Sequence, residues 1–296
     1  YHRSPTGEAG YVSWKDYRVI DVEDCPIGHV ELNQLWTRLR EKTRSIPAEV
    51  LPYVVLRRTT TGQIAVIFST TKTINVPTME GAFTYETRIK VGSHSPFGKS
   101  IETLSGPDWL TEEIAGIRYL VRPDLFFQVH PEVTEKAVEC VVRWATDVRA
   151  ARVLDIYCGA GLFTLAIAKQ GIPTLGVEVT HEAILCGQES ARENHVEKLA
   201  QFRGGKAERI IERLMREGDR FEAAVVDPPR KGLHPKVIEL LPRLGVRELL
   251  YVSCSPPTFA RDVKALRSHG FQLKRVQPFD MFPQTYHVET ISSFSR

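Results

Sequence analysis

The chain has 296 residues, of which 42% are hydrophobic, so it can form more than one packed core, and we expect two domains. Its 39 Lys and Arg residues nearly balance 36 Asp and Glu residues, giving a net charge of +3. This mildly basic balance allows an RNA partner without requiring one. No apolar run approaches the roughly 20 residues that span a bilayer, so we expect no membrane association.

The cysteines indicate a reducing compartment. They are odd in number and widely spaced, unlike a disulfide framework: Cys25, Cys140, Cys158, Cys186 and Cys254. We therefore expect a cytoplasmic protein, and a monomer. Because the chain opens on Tyr1 without a methionine, we also expect that an upstream segment is missing.

Residues 1–122 have the pattern of a small β-rich α+β domain. A strand is expected over 17–22, and leucines at helical spacing predict a helix over 31–42. Further strands are expected over 53–56, 64–68 and 85–91, separated by turns that contain Thr and Gly. The spacing favours a predominantly antiparallel sheet.

Residues 123–296 form a second expected domain, in which strands alternate with helices. Strands are predicted over 152–157, 174–178, 201–203, 223–227 and 248–253, each followed by a helix. Such alternation predicts a mostly parallel sheet covered by helices on both faces. Two final strand patterns, 271–276 and 287–294, have no helix between them and predict a closing antiparallel hairpin.

A glycine-rich turn follows the first strand of this alternation. Its sequence is Asp155-Ile-Tyr-Cys-Gly159-Ala-Gly161, and a helix follows. Such a turn either brings the backbone close to a ligand or simply joins a strand to a helix. The next strand ends on Glu178, whose carboxylate can accept hydrogen bonds from both ribose hydroxyls of a nucleoside. Since no third glycine follows, S-adenosylmethionine fits the pattern better than a dinucleotide.

Two further strands end in residues that are suited to a role in catalysis. Cys254 ends an apolar strand; Pro256 and Pro257 are expected to stop that strand, and Thr258 to cap the following helix. A helix N-terminus lowers the pKa of a nearby thiol, so Cys254 is a candidate nucleophile. The alternative is a small apolar residue at the end of a buried strand. Asp227-Pro228-Pro229 predicts a rigid acidic loop at the same sheet edge, or a simple strand stop.

Three motifs in this order carry a resemblance to a known family. They are Asp227-Pro-Pro-Arg230, Val252-Ser-Cys-Ser-Pro-Pro257 and Asp280-Met-Phe-Pro-Gln-Thr-Tyr-His-Val-Glu289. Together they resemble the RNA uracil-5-methyltransferase family, most closely its bacterial ribosomal members. The resemblance implies a class I S-adenosylmethionine-dependent methyltransferase domain with a Rossmann-like seven-stranded sheet. It departs at Leu162 and Ser255, where the family often has Asn.

The resemblance also implies residue roles. In the family a cysteine attacks C6 of a uridine, a methyl group is transferred to C5, and a glutamate removes the C5 proton. These roles fall on Cys254 and Glu289. The positions that match the family's cofactor contacts are Gln128, Tyr157, Glu178 and Asp227, in addition to Gly159 and Gly161 of the turn.

Cys25 carries a separate expectation. In iron–sulfur members of the family, a Cys-Pro-Ile segment such as Cys25-Pro26-Ile27 supplies one ligand of a 4Fe–4S cluster, and the other three cysteines lie upstream. A cluster is therefore expected in the full-length protein, although a buried structural thiol is the alternative. The same segment favours ribosomal RNA over transfer RNA as substrate.

Two other functions stay open. An amino-methyltransferase that acts on adenine or guanine would also use an acid–Pro–Pro loop, but would not need Cys254. An RNA-binding module that has lost catalysis would need neither Cys254 nor Glu289. A target base must leave its helix to reach such a site. Core packing is expected for most of the aromatic residues that could stack on a base, namely Phe126, Phe127, Phe279, Phe282 and Tyr286.

Overall fold

A computed structural model describes all 296 residues, and the chain divides into two compact units. The first unit comprises Tyr1–Thr111 and Arg122–Asp124, and the second comprises Glu112–Val121 and Leu125–Arg296. None of the helices combines the length and the apolar character needed to cross a membrane.

The first unit is a seven-stranded sheet with one helix. In chain order its elements are β1 (His2–Arg3), β2 (Ala9–Val12), β3 (Val19–Asp21), α1 (Val30–Thr43), β4 (Tyr53–Arg58), β5 (Ile64–Thr70), β6 (Phe83–Arg88) and β7 (Ile101–Ser105). The strand order is β3-β2-β1-β4-β5-β6-β7. All neighbours are antiparallel except β5 and β6, which are parallel. Leu35, Trp36 and Leu39 of α1 are buried in a core with β4 and β5 residues.

A short hairpin lies at the start of the second unit. Its strands are β8 (Leu110–Ile114) and β9 (Ile117–Val121). The two turn residues, Ala115 and Gly116, have φ values of 52° and 71°, as a tight two-residue hairpin turn requires.

The second unit alternates strands and helices. In chain order its elements are α2 (Pro131–Asp147), β10 (Val153–Ile156), α3 (Leu162–Ala168), β11 (Thr174–Glu178), α4 (His181–Glu193), β12 (Ala200–Gly204), α5 (Ala207–Glu217), β13 (Ala223–Val226), α6 (Pro235–Leu244), β14 (Glu248–Ser253), α7 (Pro256–Ser268), β15 (Gln272–Phe279) and β16 (Glu289–Ser295). The strand order is β12-β11-β10-β13-β14-β16-β15. The five strands from β10 to β14 are parallel, and β16 is antiparallel to β14 and β15. The predicted parallel sheet with a closing hairpin is confirmed.

Two apolar layers cover this sheet. One contains residues of α2, α3 and α4, and the other contains residues of α5, α6 and α7. The central strands are buried on both faces, which explains their continuous apolar sequences. From β10 the chain order runs outward in both directions, through β11 on one side and β13 on the other. A ligand crevice is expected at the carboxyl ends of β10 and β13, where the order reverses.

The start of α7 differs from the sequence prediction. Pro256 and Pro257 are the first residues of the helix, and Ser255 is its N-cap. Proline is favourable there because its φ suits the first turn and its missing N–H has no partner in the helix. Thr258 is already inside the helix and donates its hydroxyl to the Ser255 carbonyl at 3.1 Å, so the prediction that Thr258 is the cap was wrong.

Candidate active site

A cavity of about 1230 Å³ opens at the carboxyl edge of the second unit's sheet. It is larger than the roughly 300–1,000 Å³ of most small-molecule pockets, so it has room for two ligand groups. Seven of the residues predicted for the site line this cavity: Gln128, Tyr157, Gly159, Glu178, Asp227, Cys254 and Glu289. Residues far apart in sequence thus meet in one place, because the parallel strands end at one edge.

Gly161 does not line the cavity, and its role is in packing. It is the N-cap of α3 with a φ of 90°, and a Cβ at this position would lie 2.8 Å from the Phe202 ring. Gly159 also has a positive φ, 54°, but a Cβ there would meet nothing within 4 Å. The two glycines of the turn therefore serve different purposes: Gly161 allows close packing, whereas Gly159 leaves the cavity wall open.

Glu178 is held by the backbone around it. Its Oε1 accepts hydrogen bonds from the N–H groups of Val179 and Thr180, each at 2.8 Å, and its Oε2 accepts one from Gly159 at 3.2 Å. A carboxylate has about four acceptor sites, so about one remains for a ligand hydroxyl. The carboxylate is thus fixed in position at the cavity wall, and a hydroxyl of a ligand can bind to it.

A buried carboxyl group, Asp155, lies beneath the turn. Its Oδ2 accepts a hydrogen bond from the Thr164 hydroxyl at 2.6 Å, while Oδ1 has no partner. Burial, together with the nearby charge of Glu178, raises the pKa of Asp155 to about 7. Cys158 in the same turn is buried, and burial raises its thiol pKa well above the usual range, so this thiol is inert.

Cys254 is the least buried of the five thiols. Burial raises its pKa, the charges of Glu289 and Asp227 raise it further, and Arg230 acts in the opposite direction. The prediction that the N-terminus of α7 would lower this pKa was wrong. The helix begins with two prolines, which lack the N–H groups that stabilise a thiolate, and two carboxyl groups face the thiol.

Glu289 is the first residue of β16 and lies beside the end of β14. The antiparallel pairing of β14 and β16 ends at Ser253 and Thr290, the residues next to Cys254 and Glu289 in the chain, and both Cys254 and Glu289 line the cavity. Glu289 is only 6% exposed, and burial raises its pKa to about 7. Asp227 lies nearby, and burial and the charge of Glu289 raise its pKa well above its usual value. The carboxyl group of Glu289 is therefore able to hold a proton near neutral pH.

The loop that follows Asp227 is fixed by a buried acid that the sequence reading missed. The Oδ2 atom of Asp262 accepts hydrogen bonds from Leu233 N–H at 2.7 Å and from the Tyr251 hydroxyl at 2.8 Å. Arg261 donates to Oδ1 of Asp262 at 2.7 Å and to the Lys231 carbonyl at 2.7 Å. Asp262 lies on the same helical face as the apolar Leu266, four residues later, and this was the available signal.

Two cations of the cavity were absent from the predicted site. Arg230 follows the Asp227-Pro228-Pro229 loop and lines the cavity, as does Phe282, which the sequence had offered as a stacking candidate. Lys206 lines it at the start of α5, where no sequence signal separates it from other surface lysines.

Cys25 lies in the first unit and is buried. The Tyr11 hydroxyl donates to its sulfur at 3.5 Å, and its backbone N–H and carbonyl both bond to the Asn33 side chain. Nowhere does the structure bring together three or more His, Cys, Asp or Glu side chains able to hold a metal ion. Since a 4Fe–4S cluster needs four thiolates as a rule, the residues of this chain do not fit one.

Comparison with known proteins agrees with this geometry. Residues 108–295 match the family model described as tRNA (uracil-5-)-methyltransferase. An uncharacterised RNA methyltransferase of Halalkalibacterium halodurans is 30% identical over 97% of this chain, and one of Geobacter sulfurreducens is 32% identical over 93%. The chain spans 69% and 60% of the lengths of these two relatives.

A solved structure is similar over nearly the whole chain. The Pyrococcus abyssi tRNA (uracil-54, C5)-methyltransferase, in complex with S-adenosyl-L-homocysteine, superposes with a TM-score of 0.81 at 27% identity. The similarity covers 96% of this chain and 72% of that one. The fold is that of class I methyltransferases, and the chain belongs to the tRNA (uracil-5-)-methyltransferase family.

Proposed function

We propose that this protein transfers a methyl group from S-adenosylmethionine to C5 of a uridine in RNA. The observation that carries the proposal is that Cys254 and Glu289 line one cavity at the carboxyl edge of the sheet, where the charge of Glu289 acts on the thiol. A thiol and a carboxyl group with a pKa near 7 are the two groups that methylation at C5 of uracil requires.

The residues around the glycine turn fit the cofactor. Glu178 has an acceptor site for a ribose hydroxyl, and Gly159 leaves space for the nucleoside beside it. Tyr157 and Gln128 line the same cavity, whose volume exceeds that of most single-ligand pockets. When bound there, S-adenosylmethionine would supply an electrophilic methyl group. A relative of 27% identity was crystallised with S-adenosyl-L-homocysteine, the product of this donor.

Cys254 would carry the first step of the reaction on the RNA. Its thiolate would add to C6 of the uracil, which places the electron pair of the C5–C6 double bond on C5 and the adjacent carbonyl, as an enolate. C5 thereby becomes nucleophilic enough to accept the methyl group. Burial and the charges of Glu289 and Asp227 raise the thiol pKa, and the charge of Arg230 acts in the opposite direction and favours the thiolate.

Glu289 would complete the reaction. After methylation, C5 carries both a methyl group and a proton. The carboxylate of Glu289 would take that proton, the C5–C6 double bond would form again, and the sulfur of Cys254 would leave from C6. A base with a pKa of about 7 suits this role, since it is half ionised at neutral pH and still basic enough to take the proton.

The class of RNA is a finer proposal. Ribosomal RNA is favoured by the Cys25-Pro26-Ile27 segment, although Cys25 has no cluster partners in this chain. The archaeal relative is by its name a transfer RNA enzyme. A transfer assay should therefore offer both RNAs.

Analysis of the methylated nucleoside tests the proposal. The protein is incubated with unmodified transfer RNA or ribosomal RNA transcripts and with S-adenosylmethionine carrying a labelled methyl group, and the RNA is digested and examined by mass spectrometry. The proposal predicts label in 5-methyluridine. Label in a methylated adenine or guanine would identify the amino-methyltransferase instead, and tight RNA binding without label would identify a binding module.

A further inference from the structure

An exposed aromatic side chain lies three residues before the proposed catalytic base in the chain. The loop from 280 to 288 joins β15 to β16, and Tyr286 within it is 87% exposed. Few aromatic side chains of the second unit have such exposure, and the fold gains little apolar burial from this ring. The ring is therefore free to contact a ligand.

The loop is built to hold Tyr286 outward. Met281 at its start and Glu289 at its end are buried, with 2% and 6% exposure. Between them the Thr285 hydroxyl donates to the Phe282 carbonyl at 2.8 Å and accepts from the His287 N–H at 3.2 Å. The loop is thus an ordered turn between two anchors, and Tyr286 is at its exposed part.

The groups around Tyr286 are of the kinds that bind a nucleotide. The Tyr286 ring contacts the His287 imidazole with centroids 4.2 Å apart, and the remainder of the ring is open. His287 Nε2 lies 3.4 Å from Nη2 of Arg230, an exposed cation that lines the cavity. An open aromatic face beside a cation is the arrangement that binds one base and its phosphate in single-stranded RNA.

We propose that Tyr286 is the stacking platform for the base that flanks the target uridine in the RNA. The inference rests on the proposed function, because the uridine in the cavity determines which base reaches Tyr286. A target uridine turned into the cavity leaves its neighbour unstacked, and the Tyr286 ring replaces the lost stacking partner. Arg230, which lies beside His287, neutralises the phosphate between the two nucleotides.

Three variants separate stacking from other roles of the ring. Tyr286→Phe keeps the aromatic face, Tyr286→Leu keeps apolar bulk without it, and Tyr286→Ala removes both. The proposal predicts that Phe preserves the KM for RNA, whereas Leu and Ala raise it about 5- to 100-fold. Binding of S-adenosyl-L-homocysteine stays unchanged in all three. If Leu supports a normal KM, or if Phe is as impaired as Ala, the ring is not a stacking platform.

An abasic substitution in the RNA directly tests whether the flanking base stacks on Tyr286. Wild-type protein is first trapped on 5-fluorouridine-substituted RNA, and the adduct is sequenced to locate the target. Each flanking nucleotide is then made abasic in turn. At one flank the abasic RNA should weaken wild-type binding, but not binding by Tyr286→Ala, since the stacking interaction is already absent. Equal effects on both proteins at every position would overturn the proposal. Failure of the wild-type protein to form any adduct would instead count against the proposed function.

Discussion

Cys254 directly follows β14 and Glu289 is the first residue of β16, and these antiparallel strands pair Ser253 with Thr290 at that end. Cys254 and Glu289 both line the cavity, and the charge of Glu289 raises the pKa of the Cys254 thiol. The closing hairpin of the fold thereby brings a carboxyl group from the C-terminal strand to a thiol at the end of a parallel strand.

Replacing Glu289 with Gln should stop the reaction after methyl transfer. The amide has nearly the same shape but cannot take the C5 proton, so Cys254 stays bonded to the RNA. We expect turnover to fall about 100- to 10,000-fold and a covalent protein–RNA band to accumulate in denaturing gels. Full turnover without this band would show that Glu289 is not the base.

The burial of the Glu289 carboxyl group should also make the stability of the protein depend on pH. Its pKa rises from 4.5 to about 7 on folding, so the folded state holds this proton more tightly than the unfolded state. The protonated carboxyl group contributes its full stabilisation below pH 4.5, and this contribution is lost as the pH rises through about 7. Between these two pH values the free energy of unfolding of the wild type should fall by ~3 kcal/mol relative to that of Glu289→Gln. Urea denaturation of both proteins at pH 5 and pH 8 measures this, and an unchanged difference would contradict the raised pKa.

Glu178 should control affinity for the cofactor. Replacing its carboxylate with the amide of Gln removes a charged acceptor that the Gly159, Val179 and Thr180 N–H groups hold in place. We expect the Kd for S-adenosyl-L-homocysteine, measured by calorimetry, to rise about 10- to 100-fold. Glu197→Gln, at an exposed acid, is the matched control and should bind normally. Equal affinities of the two variants would remove Glu178 from the cofactor site.

Asp262 should act on activity by positioning the loop after β13. Asp262→Ala leaves the Leu233 N–H and the Tyr251 hydroxyl without their buried acceptor, and we expect a loss of about 2–4 kcal/mol in stability. Well below the melting temperature kcat should still fall, because Asp227 and Arg230 are no longer fixed. Asp262→Asn should recover part of this kcat.

Glu239→Ala provides the control for this effect. It removes an exposed acid of α6 whose ion pair with Arg243 is mostly in solvent, so stability and kcat should change little. If Asp262→Ala keeps a normal kcat at a temperature where it is folded, Asp262 has only a structural role.

Periodicity predicted the architecture well because the strands of the second unit are buried on both faces. Continuous apolar sequences such as that of β13 can form little else between helices of amphipathic pattern. The short strands β1 and β2 were missed, since two to four residues carry no measurable period. The parallel pairing of β5 and β6 also depends on long-range contacts that no local pattern records.

Most of the residues that the motifs indicated line one cavity, but the electrostatics of that cavity were not predicted. Motifs identified Cys254 and Glu289, yet a pKa depends on burial and on neighbours from other strands. The thiol pKa was expected to be lowered, but burial raises it, and so do the charges of Glu289 in β16 and Asp227 after β13. Asp262 was missed for the same reason, since its partners Leu233 and Tyr251 belong to other elements.

A covalent trap tests the central claim most directly. RNA in which 5-fluorouridine replaces uridine is incubated with the protein and S-adenosylmethionine, and the product is analysed by denaturing gel and peptide mass spectrometry. Fluorine at C5 cannot leave as a proton does, so a protein that adds to C6 stalls as a stable adduct. We predict an adduct on the peptide that contains Cys254, and none with Cys254→Ala, which should still bind S-adenosyl-L-homocysteine. An adduct on another residue, or methylated RNA produced by Cys254→Ala, would contradict the assignment of Cys254 as the nucleophile.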